Sequence, residues 1–310
     1  MAVSSEPTHV TPATSTETDG TPVGGSEPID ARTRIGAVHL TVHDLARSRD
    51  FYERVIGLRP AEQDDGSLTF GVDGERPLVH LYGDAAAAGL DRRATGLFHQ
   101  AILFPTRRDL AVALARVGQA RWPLDGASDH LVSEALYLSD PDGNGIELYR
   151  DRPRKEWQRR DGELQMATLP LDVRDLLSEL DDSPIAPLAP SGTTIGHAHL
   201  QVAELDEIER FYNGVLGFDV VVRTYPGALF VSAGGYHHHI GLNTWNSAGS
   251  GPPAPGAVGL RHYEILLPDE NPLQQAMARV QAADVAAEPV GDGAQLIRDP
   301  SGNGVVLRTP

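Results

Sequence analysis

The stretch His130-Leu-Val-Ser-Glu-Ala-Leu-Tyr137 leads into the turn Asp140-Pro-Asp-Gly-Asn-Gly145 and then into Ile146-Glu147. It places an imidazole, a phenol and a carboxylate close together in the chain. The turn returns near the C-terminus as Asp299-Pro-Ser-Gly-Asn-Gly304, matching at five of six positions. Seven residues past Asp140 stands Glu147, whereas seven past Asp299 stands Val306. A turn repeated only for folding gives no reason for that difference, so Glu147 points to chemistry. A second concentration of reactive groups is Tyr236-His-His-His-Ile-Gly-Leu242. Strand residues alternate faces, so either His237 and His239 or His238 alone would face one side.

The donor inventory narrows that chemistry. There is no cysteine, which excludes disulfides, thiolate metal sites and thiol nucleophiles. Twelve histidines are then the soft donors and the carboxylates the hard ones. A formal net charge of −17 argues against nucleic acid or an anionic membrane as main partner. No run approaches the roughly 18 apolar residues of a membrane span. The N-terminus has neither the basic start nor the apolar core of a secretory signal. A cytoplasmic protein is the default expectation, and the sequence is compatible with a homo-oligomer.

The elements that must position these residues repeat. Ile35-Gly-Ala-Val-His39-Leu-Thr-Val42 is echoed by Ile195-Gly-His197-Ala-His199-Leu-Gln-Val202, each alternating like a half-buried strand. A helical stretch follows each, with Phe51-Tyr52 matched by Phe211-Tyr212, and Gly57 and Gly217 fit C-terminal caps. A weaker repeat opens at Leu97-Phe-His99 and at Leu260-Arg-His262, and each copy closes with the Asp-Pro-x-Gly-Asn-Gly hairpin. The chain therefore reads as α+β, with four units of strand, helix and about three strands. They begin near residues 35, 97, 195 and 259. Residues 1–33, rich in Ser, Thr, Pro and Gly, read as a disordered tail. Units one and two occupy 34–151, a charged linker 152–192, and units three and four 193–310. One such unit cannot close a core alone, so units must pair, and their sheets then curve round a concavity suited to a ligand.

Four βαβββ units, strand-initial histidines and the Asp-Pro-x-Gly-Asn-Gly-x-Glu ending resemble the vicinal oxygen chelate superfamily. It contains extradiol ring-cleaving dioxygenases, glyoxalase I and antibiotic-binding resistance proteins. The stretch from His130 to Glu147 resembles the extradiol signature, and the chain beyond residue 33 is similar to two-domain bacterial catechol 2,3-dioxygenases. Ser128 departs from that signature, which usually has Gly, Asn, Thr or a small aliphatic there.

The resemblance implies metal ligands on the first and last strands of paired units. Counting back five residues from the apolar residue closing each first strand gives His99, His197 and His262, but Ala37 in unit one. The last-strand carboxylate is Glu147 in unit two and is replaced by Val306 in unit four. Units two and three together offer His99, His197 and Glu147, the facial triad of non-haem Fe(II), with three positions open for substrate and oxygen. Mn(II) accepts the same ligands. The expectation is that units two and three share the active cup and units one and four pair behind it. His39 and His80 are the fallback ligands if units one and two pair instead.

By the same resemblance, His238 is the acid–base histidine, a role suited to a group that titrates near neutrality. His130 and Tyr137 would hydrogen-bond substrate. His199, on the same strand face as His197, would be a substrate or supporting contact. The implied reaction is Fe(II)-dependent cleavage of a small aromatic diol, a catechol, by O2, with no organic cofactor. Two rivals use the same scaffold: a glyoxalase I-like isomerase, generally with four protein ligands, and a drug-sequestering protein with no metal triad.

Overall fold

The computed structural model describes residues 27–64, 66–72, 74, 76–160 and 163–310; the tail's first 26 residues lie outside them. Residues 27–33, placed in the tail on composition, pack against unit three. Ile29 is buried, and its amide donates to the Gly217 carbonyl at 2.8 Å. Ile29 brings the large aliphatic group that the preceding Ser/Thr/Pro-rich text lacks.

Each unit opens with a long strand: Arg34–Val42, Gly96–Leu103, Thr194–Gln201 and Gly259–Leu266. The helices of units two and four, Arg107–Gln119 and Glu270–Ala282, start at side-chain caps on Thr106 and Asp269. At Thr106 a full capping box forms with Asp109. The helices of units one and three are short, Leu45–Phe51 and Leu205–Glu209, and widen into π-turns at Tyr52–Ile56 and Arg210–Val215.

Those π-turns carry buried Tyr52 and Tyr212 and explain the repeated hairpin. Asp140 Oδ1 accepts from the Asp142 and Asn144 amides, both at 2.9 Å, and Asp299 does the same for Ser301 and Asn303. The Tyr52 hydroxyl donates to Asp140 Oδ2 at 3.5 Å and Tyr212 to Asp299 Oδ2 at 3.1 Å. Gly143 and Gly302 take φ of +91° and +84°, the left-handed region in which a Cβ is strained. The turn is thus structural in both copies, and the chemical difference lies in the strand after it.

Among the described residues two large sheets form. One has nine strands, in the order Leu169–Pro170, Gly126–Asp129, Ser133–Ser139, Gly145–Asp151, Gly96–Leu103, Thr194–Gln201, Ile240–Asn243, Ala228–Ser232 and Asp219–Val222. It joins units two and three through their antiparallel first strands. The other has eight strands and joins units one and four in the same way. Each sheet therefore draws one unit from each half of the chain. The halves 34–151 and 193–310 are sequence repeats; the curled sheets cross between them. The linker contributes the edge strand Leu169–Pro170, paired with Gly126–Asp129. No helix among the described residues is long and apolar enough to cross a membrane.

The strand geometry expected through the histidine run begins only after it, at Ile240. Gly234 and Gly235 both take positive φ, +59° and +67°, and the chain through His239 stays irregular. The two-residue alternation applied to the histidines therefore does not hold there.

Candidate metal centre

The register of the nine-stranded sheet sets the site. Glu147 is the parallel partner of Ala101, and His197 is the antiparallel partner of the same Ala101. Glu147 and His197 thus flank a small side chain in one row, and His99 stands two residues along from Ala101, on the same face. His99 Nε2 lies 2.9 Å from Glu147 Oε2, His197 Nε2 lies 3.2 Å from it, and the two Nε2 atoms are 3.3 Å apart. Three ligands each about 2.1 Å from one ion, at right angles, would stand about 3.0 Å apart. All three side chains are buried, and among the described residues no other three His, Cys, Asp or Glu converge this way.

The electrostatics fit a cation. Burial pushes the Glu147 carboxyl up, but His197 and His99 outweigh it and hold it well below the usual carboxylate range. Burial pushes His197 down to about 4. The cup therefore presents an ionised carboxylate and a neutral imidazole, the states in which these groups bind metal. Two buried imidazole nitrogens and a buried carboxylate oxygen meeting at one point fit one divalent ion with open positions better than they fit one another.

Around the triad stand the other expected site residues. His199 is buried, with its ring 5.2 Å from Phe98, 5.6 Å from Trp245 and 5.7 Å from Phe230. Its Nε2 has no partner in the protein, a costly state that a bound molecule would relieve. Gly241 leaves room for this ring, since a Cβ there would lie 2.9 Å from His199 Cγ. His238 packs on His197, ring to ring at 4.1 Å, and burial holds its pKa well below the ordinary value. Tyr137 pairs across the hairpin with Glu147 and sits 5.7 Å from the His99 ring. His130 donates from Nδ1 to the Ala167 carbonyl at 2.7 Å and accepts at Nε2 from the Tyr137 hydroxyl at 2.6 Å. Both ring nitrogens of His130 are thus bonded within the protein.

His39, His80 and His262 lie in the other sheet, away from the triad. His39 stacks on His262 at 4.0 Å and lies 4.9 Å from His80. There Glu264 occupies the place of Ala101, beside Val306. It accepts from the Ala37 amide at 3.1 Å and from Arg308 at 3.0 Å. With His39 Nε2 3.6 Å away as well, the carboxylate of this cup is spent on a backbone amide, an arginine and one histidine.

Sequence reasoning missed the groups beyond Glu147. Tyr149 and Asp151 lie two and four residues further on, on the same face, and the period alone would have found them. The Tyr149 ring lies 4.9 Å from His197, and its hydroxyl bonds that of Tyr236 at 2.8 Å. Gly196 makes room for it: a Cβ there would land on the Tyr149 hydroxyl. Gly196→Ala is expected to cost about 1–3 kcal/mol through overpacking, read as a lower urea midpoint at unchanged slope. An unchanged midpoint would mean that Tyr149 moves aside freely.

A repeated βαβββ chain whose curled sheet gathers two histidines and one carboxylate defines a class by fold and site together. The chain belongs to the Glyoxalase/Bleomycin resistance protein/Dioxygenase superfamily, which matches it at residues 34–148 and 194–307. It is 46% identical over 272 residues to a protein of Bacillus subtilis (strain 168) named catechol-2,3-dioxygenase, covering 86% of this chain and 94% of that one. Among solved structures it resembles a candidate dioxygenase from Bacillus subtilis subsp. subtilis str. 168, with TM-score 0.62, 18% identity, and 92% and 86% of the two chains covered. It also resembles glyoxalase I from Zea mays, with TM-score 0.55, 16% identity and coverage of 89% and 92%. At these identities the structural likenesses speak for the fold alone.

Proposed function

We propose that this chain is an extradiol ring-cleaving dioxygenase that opens a catechol next to its diol with O2. Fe(II) would be held by His99, His197 and Glu147. The observation that carries the reading is the convergence of those three buried ligand atoms, 2.9–3.3 Å apart. The relative named catechol-2,3-dioxygenase supports the choice of substrate class. When bound, Fe(II) supplies the redox centre and makes the diol oxygens more acidic, as it does for water.

The protein's own groups do the rest. Phe98, Phe230 and Trp245 offer flat faces and edges to an aromatic ring. His199 Nε2 offers a buried nitrogen to a substrate oxygen. His238, neutral through burial, takes a proton from the diol and returns it as the ring opens. Tyr137, whose hydroxyl proton goes to His130 Nε2, offers its oxygen lone pair to a substrate hydroxyl. Burial of the cup keeps water from competing.

The test is anaerobic loading with Fe(II), then addition of O2 and a series of catechols. Oxygen uptake equimolar with a yellow ring-opened product is expected, because both atoms of O2 end in that product. No uptake with any catechol, together with isomerisation of a glutathione hemithioacetal, would establish the glyoxalase I-like alternative. A single carboxylate in the cup favours the dioxygenase reading over that one. Metal analysis of the active protein distinguishes Fe from Mn.

A further inference from the structure

His237 is fully buried directly beside His238, and the two rings are joined Nδ1 to Nδ1 at 2.8 Å. On its other side His237 Nε2 lies 2.8 Å from Asp151 Oδ1, which also accepts from the Tyr236 hydroxyl at 3.1 Å. The Trp157 ring covers His237 at 5.4 Å. This row of groups runs from the end of the Glu147 strand to the wall of the cup.

Its hydrogen bonds admit one proton order when both imidazoles are neutral. The carboxylate only accepts, so the His237 proton is on Nε2. His237 Nδ1 is then an acceptor, and His238 must donate to it from Nδ1. His238 Nε2, the nitrogen not used in this pair, then carries a lone pair and no proton. His239, the third of the run, is on another face: its Nδ1 accepts from the Ala233 amide at 3.1 Å, which puts its own proton on Nε2.

We propose that Asp151 and His237 are positioning residues that fix the tautomer and ring orientation of His238, so that its Nε2 meets the diol as a proton acceptor. Neither residue touches the substrate. The inference deepens the dioxygenase reading and rests on it for the purpose of the tautomer, though not for its existence. The wrong tautomer would offer the diol a donor where an acceptor is needed, the fault for which an aspartate-oriented histidine is known in serine proteases.

The deciding measurement is the long-range 1H–15N spectrum of the full-length chain labelled at histidine, recorded metal-free and with added diamagnetic Zn(II). His238→Asn and His237→Phe assign the signals. The expected wild-type pattern is a proton on Nδ1 of His238 and on Nε2 of His237. In Asp151→Ala and in His237→Phe, His238 becomes a mixture of tautomers, while His239 keeps its Nε2 proton. Under turnover, kcat falls about 10–100-fold in both variants, the usual scale for a supporting contact. KM for catechol stays within about threefold, and Asp151→Glu recovers part of the loss.

A wild-type proton on His238 Nε2, or an unchanged His238 pattern in the folded Asp151→Ala variant, overturns the proposal. The wild-type spectrum decides even where a variant does not fold. If the expected pattern is found but no catechol consumes oxygen, the functional reading fails and the positioning stands. If oxygen is consumed and both variants match wild type in spectrum and rate, the positioning fails alone.

Discussion

Glu147→Gln is expected to lose iron and ring cleavage together while the fold persists. A three- or four-ligand site draws about 10–16 kcal/mol from its ligands, so one ligand is worth about 3–4 kcal/mol, or about 10²–10³-fold in affinity. The amide keeps the shape and hydrogen bonds but removes the one negative charge facing the ion. Oxygen consumption per subunit should fall at least about 10³-fold. Metal content after gel filtration should fall to near zero at stoichiometric Fe(II). Glu264→Gln, in the other sheet, is the matched control: its partners are the Ala37 amide, Arg308 and His39, so it should keep full metal content. A Glu147→Gln variant that binds iron like wild type would remove the triad from consideration.

Acid should unfold the metal-free protein unusually early. Burial depresses His197 to about 4, His239 to about 3 and His262 to about 3. Burial also drives His199 and His238 well below their ordinary value. Each such group binds a proton in the unfolded chain below about pH 6.5 but not in the folded one, so its contribution is complete above that pH and is lost as pH falls. Asp140 works in the other direction: burial raises it to about 6, and it takes up a proton in the folded state first. The three histidines with stated values, set against Asp140, already leave about two protons, or about 3 kcal/mol per pH unit between pH 6 and 4, and His199 and His238 steepen the loss further. That is a large part of an ordinary domain's 5–15 kcal/mol. The urea midpoint in EDTA should therefore drop steeply from pH 7 to pH 5, and His239→Gln should flatten the slope by about one proton. A flat midpoint over that range would show these rings to be solvated.

The repeat was readable in the sequence because its signals are local. Alternation in the first strands, the glycine caps and the Asp-Pro-x-Gly-Asn-Gly hairpins depend on neighbours within a few residues. Reading Ala37 against His197, and Val306 against Glu147, also singled out units two and three as the ones holding a full donor set. Other features needed the tertiary structure. The crossing of each sheet between the two halves rests on the pairing of Gly96–Leu103 with Thr194–Gln201, strands about a hundred residues apart with no local cue to choose them. The bond from His130 Nδ1 to the linker carbonyl of Ala167 joins residues 37 apart and had no local cue either.

The histidine run needed it most. Two-residue alternation would separate His237 from His238, and two glycines at positive φ release that segment from the strand, so that both rings line one path from Asp151 to the cup. By itself the sequence determined which residue types were available for chemistry and the unit that would carry them. Which of them share a cup, and which nitrogen faces it, was decided by strand register and long-range hydrogen bonds, because those energies arise only once distant segments meet.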